Sequence, residues 1–482
     1  MARIVDGRRF TGRPCGQRKA IGPGQGAADP DRPARSLASV VSRGAVFGWC
    51  QLGRLPSGPD RLPRFARHDG RWTVTRPPNI NGISDASLPS AGYLCGPNSA
   101  VPALPFHLSP VSWLLVLSVL VQLVYAAYYF WPFALRRPAE TAEPAPAHEQ
   151  AHPVSIVVAA RNALEQLRYL MPELLQQDYA QFEVVLIDDR SDDDTGLYTQ
   201  QLTQYYPNVR LVTIASTPEG IAPKKYALTL GIKVARYPYL LFTDADCQPA
   251  SNQWLRHMAR GFDGGADIVL GYGPYAEAEG LLNKLVRFET LLSGLQYLSF
   301  AERGQPYMGV GRNLAYTKAT FMATKGFASH IRRLSGDDDL LVQDAVQLGR
   351  RTSVVTAAEA QTISHAPGTW GQWWRQKRRH MSAGPRYRFS DRVRIGTFIL
   401  ANGLFYIGTL AAFVVPEPEW VALAAVWGVR TSTVVATYAQ ASRRLHDRQP
   451  WWLIPVLDAG YFFAYSLLTA SLVLYRNPSR WK

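Results

Sequence analysis

Residues 154–160 read VSIVVAA, residues 183–189 read EVVLIDD and residues 239–246 read YLLFTDAD. Each is a short apolar run, and the second and third close on carboxylates. A strand that is apolar on both faces is covered on both faces, as in a parallel sheet flanked by helices. Between the first two runs lies LEQLRYLMPELLQQ (164–177), whose leucines recur at helical spacing. Strand and helix in alternation predict βαβ units, and so an α/β domain with a mostly parallel sheet over about residues 153–365.

Outward from this domain the chain changes character on both sides. Residues 111–133 (VSWLLVLSVLVQLVYAAYYFWPF) carry no charge, a length that suits a membrane-spanning helix, and Arg136-Arg137 follow. A Pro/Ala/Glu linker covers 138–152. Beyond the domain, 366–393 is an amphipathic segment, and three apolar stretches over 394–482 (about 395–415, 420–440 and 451–475) are each long enough to span. The loop between the first two, PEPE (416–419), is acidic, whereas the loop at 443–448 is basic. The positive-inside rule then predicts a multi-pass cell-membrane protein, with Arg136-Arg137, the α/β domain and the 443–448 loop in the cytoplasm.

Residues 1–105 carry 15 basic against 6 acidic residues and show no periodicity, which predicts a disordered basic tail. The same composition fits a start placed too far upstream. No methionine lies between Met1 and Met171, so a shorter product would begin at a non-AUG codon. The tail has no short apolar core of the secretory kind. The net charge of +15 asks for an anionic neighbour: nucleic acid, an anionic membrane surface or a diphosphate. No zinc-finger or RNA-binding spacing occurs, so no nucleic-acid partner is expected. The four cysteines (15, 50, 95, 247) form neither a disulfide framework nor a metal pattern, which fits a reducing compartment for the domain.

Three acidic clusters carry candidate chemistry. Asp188-Asp189 close the second strand, where an open parallel sheet binds ligands and where carboxylates can accept from a base N–H or ribose hydroxyls. The plain alternative is an acidic turn, with Asp192 to Asp194 capping the next helix. Asp244 and Asp246 follow YLLFT, and a carboxylate pair one residue apart at a strand end can hold Mg²⁺ or Mn²⁺ against a diphosphate. Asp337, Asp338 and Asp339 precede LLV. Crowding raises the pKa of at least one, as a general base needs, while a helix N-terminus enriched in acid for dipole reasons explains the same residues. A fourth element, Trp370 to His380 (WGQWWRQKRRH), sets three tryptophans on one helical face, as in a membrane-interface helix. Gln376 and Arg379, three apart, could reach a diphosphate or sugar from above.

Taken in order, these motifs resemble the inverting glycosyltransferases of family 2, in the membrane-bound branch that carries Q-x-x-R-W and includes cellulose and hyaluronan synthases and ceramide glucosyltransferase. The matching elements are Asp188-Asp189, Lys224 in PKKYAL, Asp244/Asp246, the aspartates at 337–339, and Gln376 to His380, over about residues 110–482. The resemblance implies a GT-A-type, Rossmann-like fold with one N-terminal and about three C-terminal transmembrane helices. It implies a UDP- or GDP-sugar donor, a lipid or glycan acceptor and the lipid bilayer as partners. It assigns Asp188 and Asp189 to the nucleoside, Lys224 or Lys225 to the donor phosphates, Asp244 and Asp246 to the metal, and Gln376 and Arg379 to the diphosphate and acceptor channel. Asp338 becomes the base, with Asp337 and Asp339 beside it. Gly309 to Ala315 (GVGRNLA) resembles the acceptor-side loop, with Gly311, Arg312, Asn313 and His380 facing the acceptor. His380 stands where the family has Trp, and a triple Asp stands where it has an acidic pair. Two other classes stay open at this point: a membrane-anchored nucleotidyl- or phosphotransferase, and a non-catalytic scaffold for envelope glycan assembly.

Overall fold

A computed structural model describes residues 2–5, 67–68, 71–72, 108–136, 152–415 and 419–474. Apart from three short strands (Ala2–Val5, Arg67–His68 and Arg71–Trp72), the basic tail lies outside the described residues, as do nearly all of the 138–152 linker and Pro416 to Pro418 of the acidic loop.

The α/β domain is built on a mixed sheet. Its strands are β1 (Val154–Ala160), β2 (Phe182–Asp189), β3 (Val209–Ile214), β4 (Tyr239–Phe242), β6 (Ile268–Leu270), β7 (Leu314–Thr317) and β8 (Thr352–Val354). They lie in the order β3-β2-β1-β4-β7-β6-β8, with Ala2–Val5 paired antiparallel outside β3. The four strands β3, β2, β1 and β4 are mutually parallel. β7 enters antiparallel between β4 and β6, and β8 is again parallel to β6. β5 (Cys247–Pro249) and β9 (Thr362–Ser364) form a separate two-stranded ribbon. The expected mostly parallel α/β sheet is therefore present.

The apolar runs become strands because both faces are covered. Six of the seven residues of β1 are buried. One face packs on α2 (Leu164–Leu175), where Leu167, Leu170, Met171 and Leu174 recur at three- and four-residue steps and are all fully buried. Each such side chain contributes about 1.5–3 kcal/mol by leaving water. The other face packs on α4 (Pro223–Val234) and on α6 (Leu281–Glu302). Most residues of α6 are buried, on every side of the helix. A helix apolar all round needs partners all round. The sheet covers one side, and Phe398, Val434, Tyr438 and Leu457 of the long helices join the same core.

Those long helices are α1 (Pro110–Tyr125, continued through a π-helical turn to Ala134), α10 (Phe389–Ala412), α11 (Trp420–Arg444) and α12 (Ile454–Leu474). Together they supply four helices long and apolar enough to cross a membrane, the first in the N-terminal part and three C-terminal. At one end of the bundle, Ser109 N–H donates to Glu419 Oε1 (2.9 Å), joining the start of α1 to the α10–α11 turn. At the other end the 443–448 loop seats on the α/β domain. Tyr272 donates to Asp447 (2.7 Å), Arg287 pairs with Asp447 (3.2 Å), and Gln361 donates to the Leu445 carbonyl (2.6 Å). Loop and domain thus lie at the same end of the bundle. Inside it, the Arg430 guanidinium of α11 gathers all four helices: it donates to Gln122 of α1 (3.1 Å), Asn402 (2.8 Å) and Tyr406 (3.1 Å) of α10, and pairs with Asp458 of α12 (2.6 Å).

Candidate functional site

The carboxyl edge of the parallel strands opens on a cavity of about 500 Å³. Chain direction brings the clusters there: β1, β2 and β4 all end on this edge, so the residues after their apolar runs face one another.

β2 contributes Asp189, which lines the cavity and is gripped by Arg190 through Nε (2.8 Å) and Nη2 (3.2 Å). Arg190 and Asn162 both adopt left-handed backbone (φ 59° and 50°), a costly conformation for residues with side chains. The two turns are tied together: Asn162 Oδ1 accepts from Asp192 N–H (2.8 Å), and Asn162 N–H donates to Ser191 Oγ (3.0 Å). Asp188 is not among the lining residues; it accepts from Ser191 N–H (3.2 Å) and holds the turn. At the start of α3 (Thr195–Tyr205) the N-cap is Asp194, whose side chain makes no capping bond, while Asp193 before it accepts from Thr195 N–H (3.1 Å); Asp189 takes no part in this turn and lines the cavity.

Lys224 and Lys225 separate at the start of α4. Lys224 Nζ meets Asp244 (2.8 Å) and Asp337 (3.2 Å) in the cavity. Burial works against its charge, but Asp244 and then Asp337 overcome it and hold the ammonium well above the usual lysine range. Lys225, placed among the donor ligands by the resemblance, turns inward instead. It is 1% exposed and its Nζ reaches His330 Nδ1 (2.7 Å) and the carbonyls of His330 (2.9 Å) and Ser335 (2.8 Å). One helical step rotates the side chain by about 100°, so adjacent lysines cannot share the cleft. Lys225 fastens the loop before the triple aspartate.

Asp244, Asp246 and Cys247 bring one potential ligand atom each to within 4.8 Å of one another. The Cys247 thiol is buried, and burial with the neighbouring Asp244 and Asp246 pushes its pKa far up, so it remains protonated. The usable donors are then two carboxylates, the set that a hard cation takes together with phosphate oxygens and water. Partial desolvation and the like charge of Asp244 raise the Asp246 pKa from its ordinary value, although the residue stays open to solvent. Lys224 on Asp244 shows how strongly this corner attracts positive charge.

The three aspartates divide their work. Asp337 pairs with Lys224, which outweighs burial and holds it low. Asp338 accepts from Gly311 N–H (2.9 Å) and from Asp339 N–H (2.8 Å), and burial together with the Asp337 charge raises its pKa. Asp339, mostly buried, accepts from Leu340 N–H (2.7 Å) and Tyr387 OH (2.5 Å) at the start of α8 (Asp339–Gln347), and burial and Asp338 push it up to about 7. Helix capping and a shifted carboxylate therefore coexist in one triplet.

The roof is α9 (Trp370–Met381), opened by a capping box between Thr369 and Gln372. Gln376, Arg379 and His380 line the cavity; Gln376 Nε2 donates to Tyr275 OH (3.5 Å) while its buried Oε1 has no partner. Burial and the cations Lys377, Arg379, Arg312 and Lys224 all push the His380 pKa well down, although part of the ring lies open to the cavity. The expected tryptophan face is corrected: Trp373 is 1% exposed and donates to Glu289 Oε2 (3.2 Å), whereas Trp370 is exposed. On the acceptor-side loop, Gly311 and Arg312 line the cavity, and Arg312 lies over the Tyr275 ring at 4.5 Å and donates to the Gly273 carbonyl. Asn313 does not line it. Fully buried, it donates to the Tyr272 and Ala360 carbonyls (2.8 Å each) and accepts from Trp254 (3.0 Å). Tyr275, His365 and Tyr387 also line the cavity and were missed, because all three come from connections without periodicity.

The domain is thus a mostly parallel α/β sheet, like those of GT-A glycosyltransferases, with an acid-lined cleft at its carboxyl edge. Residues 155–328 match the family model described as Glycosyl transferase family 2. The probable glycosyltransferase YdaM of Bacillus subtilis (strain 168) is 24% identical over 239 residues, 47% of this chain and 54% of that protein. The uncharacterized glycosyltransferase YibD of Escherichia coli (strain K12) is 30% identical over 108 residues, 22% of this chain and 30% of that protein. The chain thus spans about half or less of these relatives' length. Among solved structures it is similar to the mannosyltransferase PcManGT from Pyrobaculum calidifontis, in complex with GDP-Man and Mn²⁺, at 16% identity and TM-score 0.47 over 70% of this chain and 99% of that one.

Proposed function

We propose that the protein is a membrane-embedded, inverting glycosyltransferase that moves a sugar from a nucleoside-diphosphate sugar to a hydroxyl of a lipid or glycan acceptor. The observation that carries this is the convergence of Asp189, Lys224, Asp244, Asp246, Asp338, Gln376 and Arg379 on one cavity. Asp189 accepts from the nucleoside, and Lys224 and Arg379 face the diphosphate. Asp244 and Asp246 would hold Mg²⁺ or Mn²⁺, which when bound neutralises the leaving diphosphate. The acceptor hydroxyl gives its proton to Asp338 as its oxygen bonds to the anomeric carbon. The bond from that carbon to the diphosphate oxygen breaks in the same displacement, and the configuration inverts. Asp338 is suited to this by its raised pKa and by two backbone N–H groups that fix its orientation. The site positions the reactants and supplies fixed charge.

Four apolar helices support multi-pass insertion in the cell membrane. The basic 443–448 loop, seated on the domain, supports a cytoplasmic catalytic side. The deciding experiment offers the purified full chain a panel of UDP- and GDP-sugars with Mn²⁺ or Mg²⁺ and measures release of nucleoside diphosphate. Asp246→Ala is expected to abolish turnover and weaken metal-dependent binding of the nucleoside diphosphate; full activity in chelator overturns the metal assignment.

A further inference from the structure

The segment from Trp370 to Arg394 carries eight lysines and arginines against one acid, Asp391. It runs from the roof helix α9 through a short connection, 382–388, into α10, one of the four helices long and apolar enough to cross a membrane. The single acid is buried and already committed, to Arg388 (2.6 Å) and Arg394 (2.8 Å). Three other arginines stand open at this corner. Arg386 and Arg392 are exposed, and so is Arg332, whose neighbour Arg333 donates to the Ser382 carbonyl (3.2 Å) and so ties that loop to the corner. Among the described residues none of the three has a carboxylate partner. Beside them Phe389 is 73% exposed, with the Arg392 guanidinium 5.9 Å from the centre of its ring.

Open guanidinium groups around an open aromatic ring, at the first turn of a membrane-length helix, match the boundary layer of a bilayer. The ring sits among the upper acyl chains and the cations at the level of the phosphates. A guanidinium grips a phosphate with two parallel N–H groups. Uncompensated positive charge favours an anionic headgroup over a zwitterionic one, whose own ammonium offsets the attraction. A soluble polyanion would satisfy the arginines but leave Phe389 in water.

The inward side of the same connection belongs to the catalytic cleft. Tyr387, next to Arg386, lines the donor cavity and donates to Asp339 (2.5 Å). Ser382 Oγ donates to the Arg379 carbonyl (2.6 Å), closing the end of α9 that carries Arg379 and His380. Arg388 donates to the Pro306 carbonyl (3.0 Å). A headgroup held on the outside therefore restrains a stretch of chain whose inside holds the roof in place.

We infer that the α9–α10 corner binds the anionic phospholipid headgroups of the bilayer, and that a headgroup held there tightens donor binding by fixing the end of α9. This rests on the membrane-embedded glycosyltransferase reading above.

The test places the full chain in nanodiscs of phosphatidylcholine alone or of its mixture with phosphatidic acid, which has no carbon-bound hydroxyl to accept a sugar. The Kd of UDP and of GDP is measured with Mn²⁺, and lipid retention is read by native mass spectrometry. Phosphatidic acid should be retained and should tighten the better-bound nucleotide at least about threefold. The effect should fade as salt screens the surface. Arg386→Gln with Arg392→Gln should leave the melting temperature and the Kd in phosphatidylcholine unchanged, and should lose both the retention and the tightening. Equal Kd in the two discs, a response that survives in the variant, or the same tightening by inorganic phosphate in phosphatidylcholine discs would each overturn the inference. Phosphatidic acid retained by a protein that binds neither nucleotide would uphold the lipid site and sink the glycosyltransferase reading. A chain that enters no disc sinks the membrane reading and this inference with it.

Discussion

Asp338 is held by Gly311 and Asp339 N–H groups and still borders two cavities, a combination suited to proton transfer from a ligand arriving on either side. Asp338→Asn keeps the shape and removes the proton acceptor. Transfer should fall by about 10²–10⁴, with donor affinity nearly unchanged. Asp339→Asn should cost less, since Asp339 serves the helix start and Tyr387. Equal, modest losses in both variants, matched by equal losses in melting temperature, would show the triplet to be only a helix cap. The active form of Asp338 is the carboxylate, so activity rises as pH climbs through its folded-state pKa, which lies above the ordinary carboxylate value. Asp337 raises that pKa by like charge, so Asp337→Asn should move the acid limb of kcat/KM to lower pH. A pH–rate profile of the two proteins checks the sign.

At the scale of elements, the buried Lys225–His330 contact fastens the 330–335 loop that delivers Asp337 to Asp339. Burial and Lys225, assisted by Arg333 and opposed by Asp337, lower the His330 pKa to about 4, and Asp344 lies 3.6 Å from its Nε2. An unfolded histidine titrates near 6.5, so the folded state binds fewer protons between about pH 6.5 and 4. Stability should therefore be fully present above pH 6.5 and decline on acidification, by about 2 kcal/mol at pH 5. His330→Gln should flatten that decline in melting-temperature scans. Elements of this kind were unevenly legible. Strand-end carboxylates announce themselves, because an apolar run fixes the strand and the next residues fall at its carboxyl edge, as Asp189 and Asp244 do. Which of two neighbours faces the cleft is a matter of helix phase and turn geometry, so Lys224 could not be told from Lys225, nor Arg312 from Asn313. Trp373 reads as interfacial by composition and is buried because Glu289 waits for its N–H. Tyr275 and Tyr387 arrive on irregular connections that only the packed structure brings together.

For the whole molecule, Arg430 is the point where all four long helices meet. Removing one member of a buried ion pair strands the other, so Arg430→Ala or Asp458→Ala should each destabilise the protein by about 3–5 kcal/mol. Arg430→Met with Asp458→Leu should recover much of that loss, read as melting temperature in detergent. Topology is open to labelling. Ser442 is buried and bonded to the Asp447 carbonyl, so the exposed Arg443→Cys is the better probe. Impermeant maleimide added to intact cells should miss Arg443→Cys and modify Val414→Cys at the opposite end; the reverse pattern would invert the orientation. The helix α6, buried on every side, has one more consequence, which concerns the order of synthesis. Its sheet-facing partners leave the ribosome before it or soon after, but Phe398, Val434, Tyr438 and Leu457 come last. Until those residues have emerged and packed, a nascent chain carries its α/β half with one flank of the core bare and adhesive. Trimming the C-terminal helices would freeze the protein at that stage, which makes those helices participants in folding the site they flank.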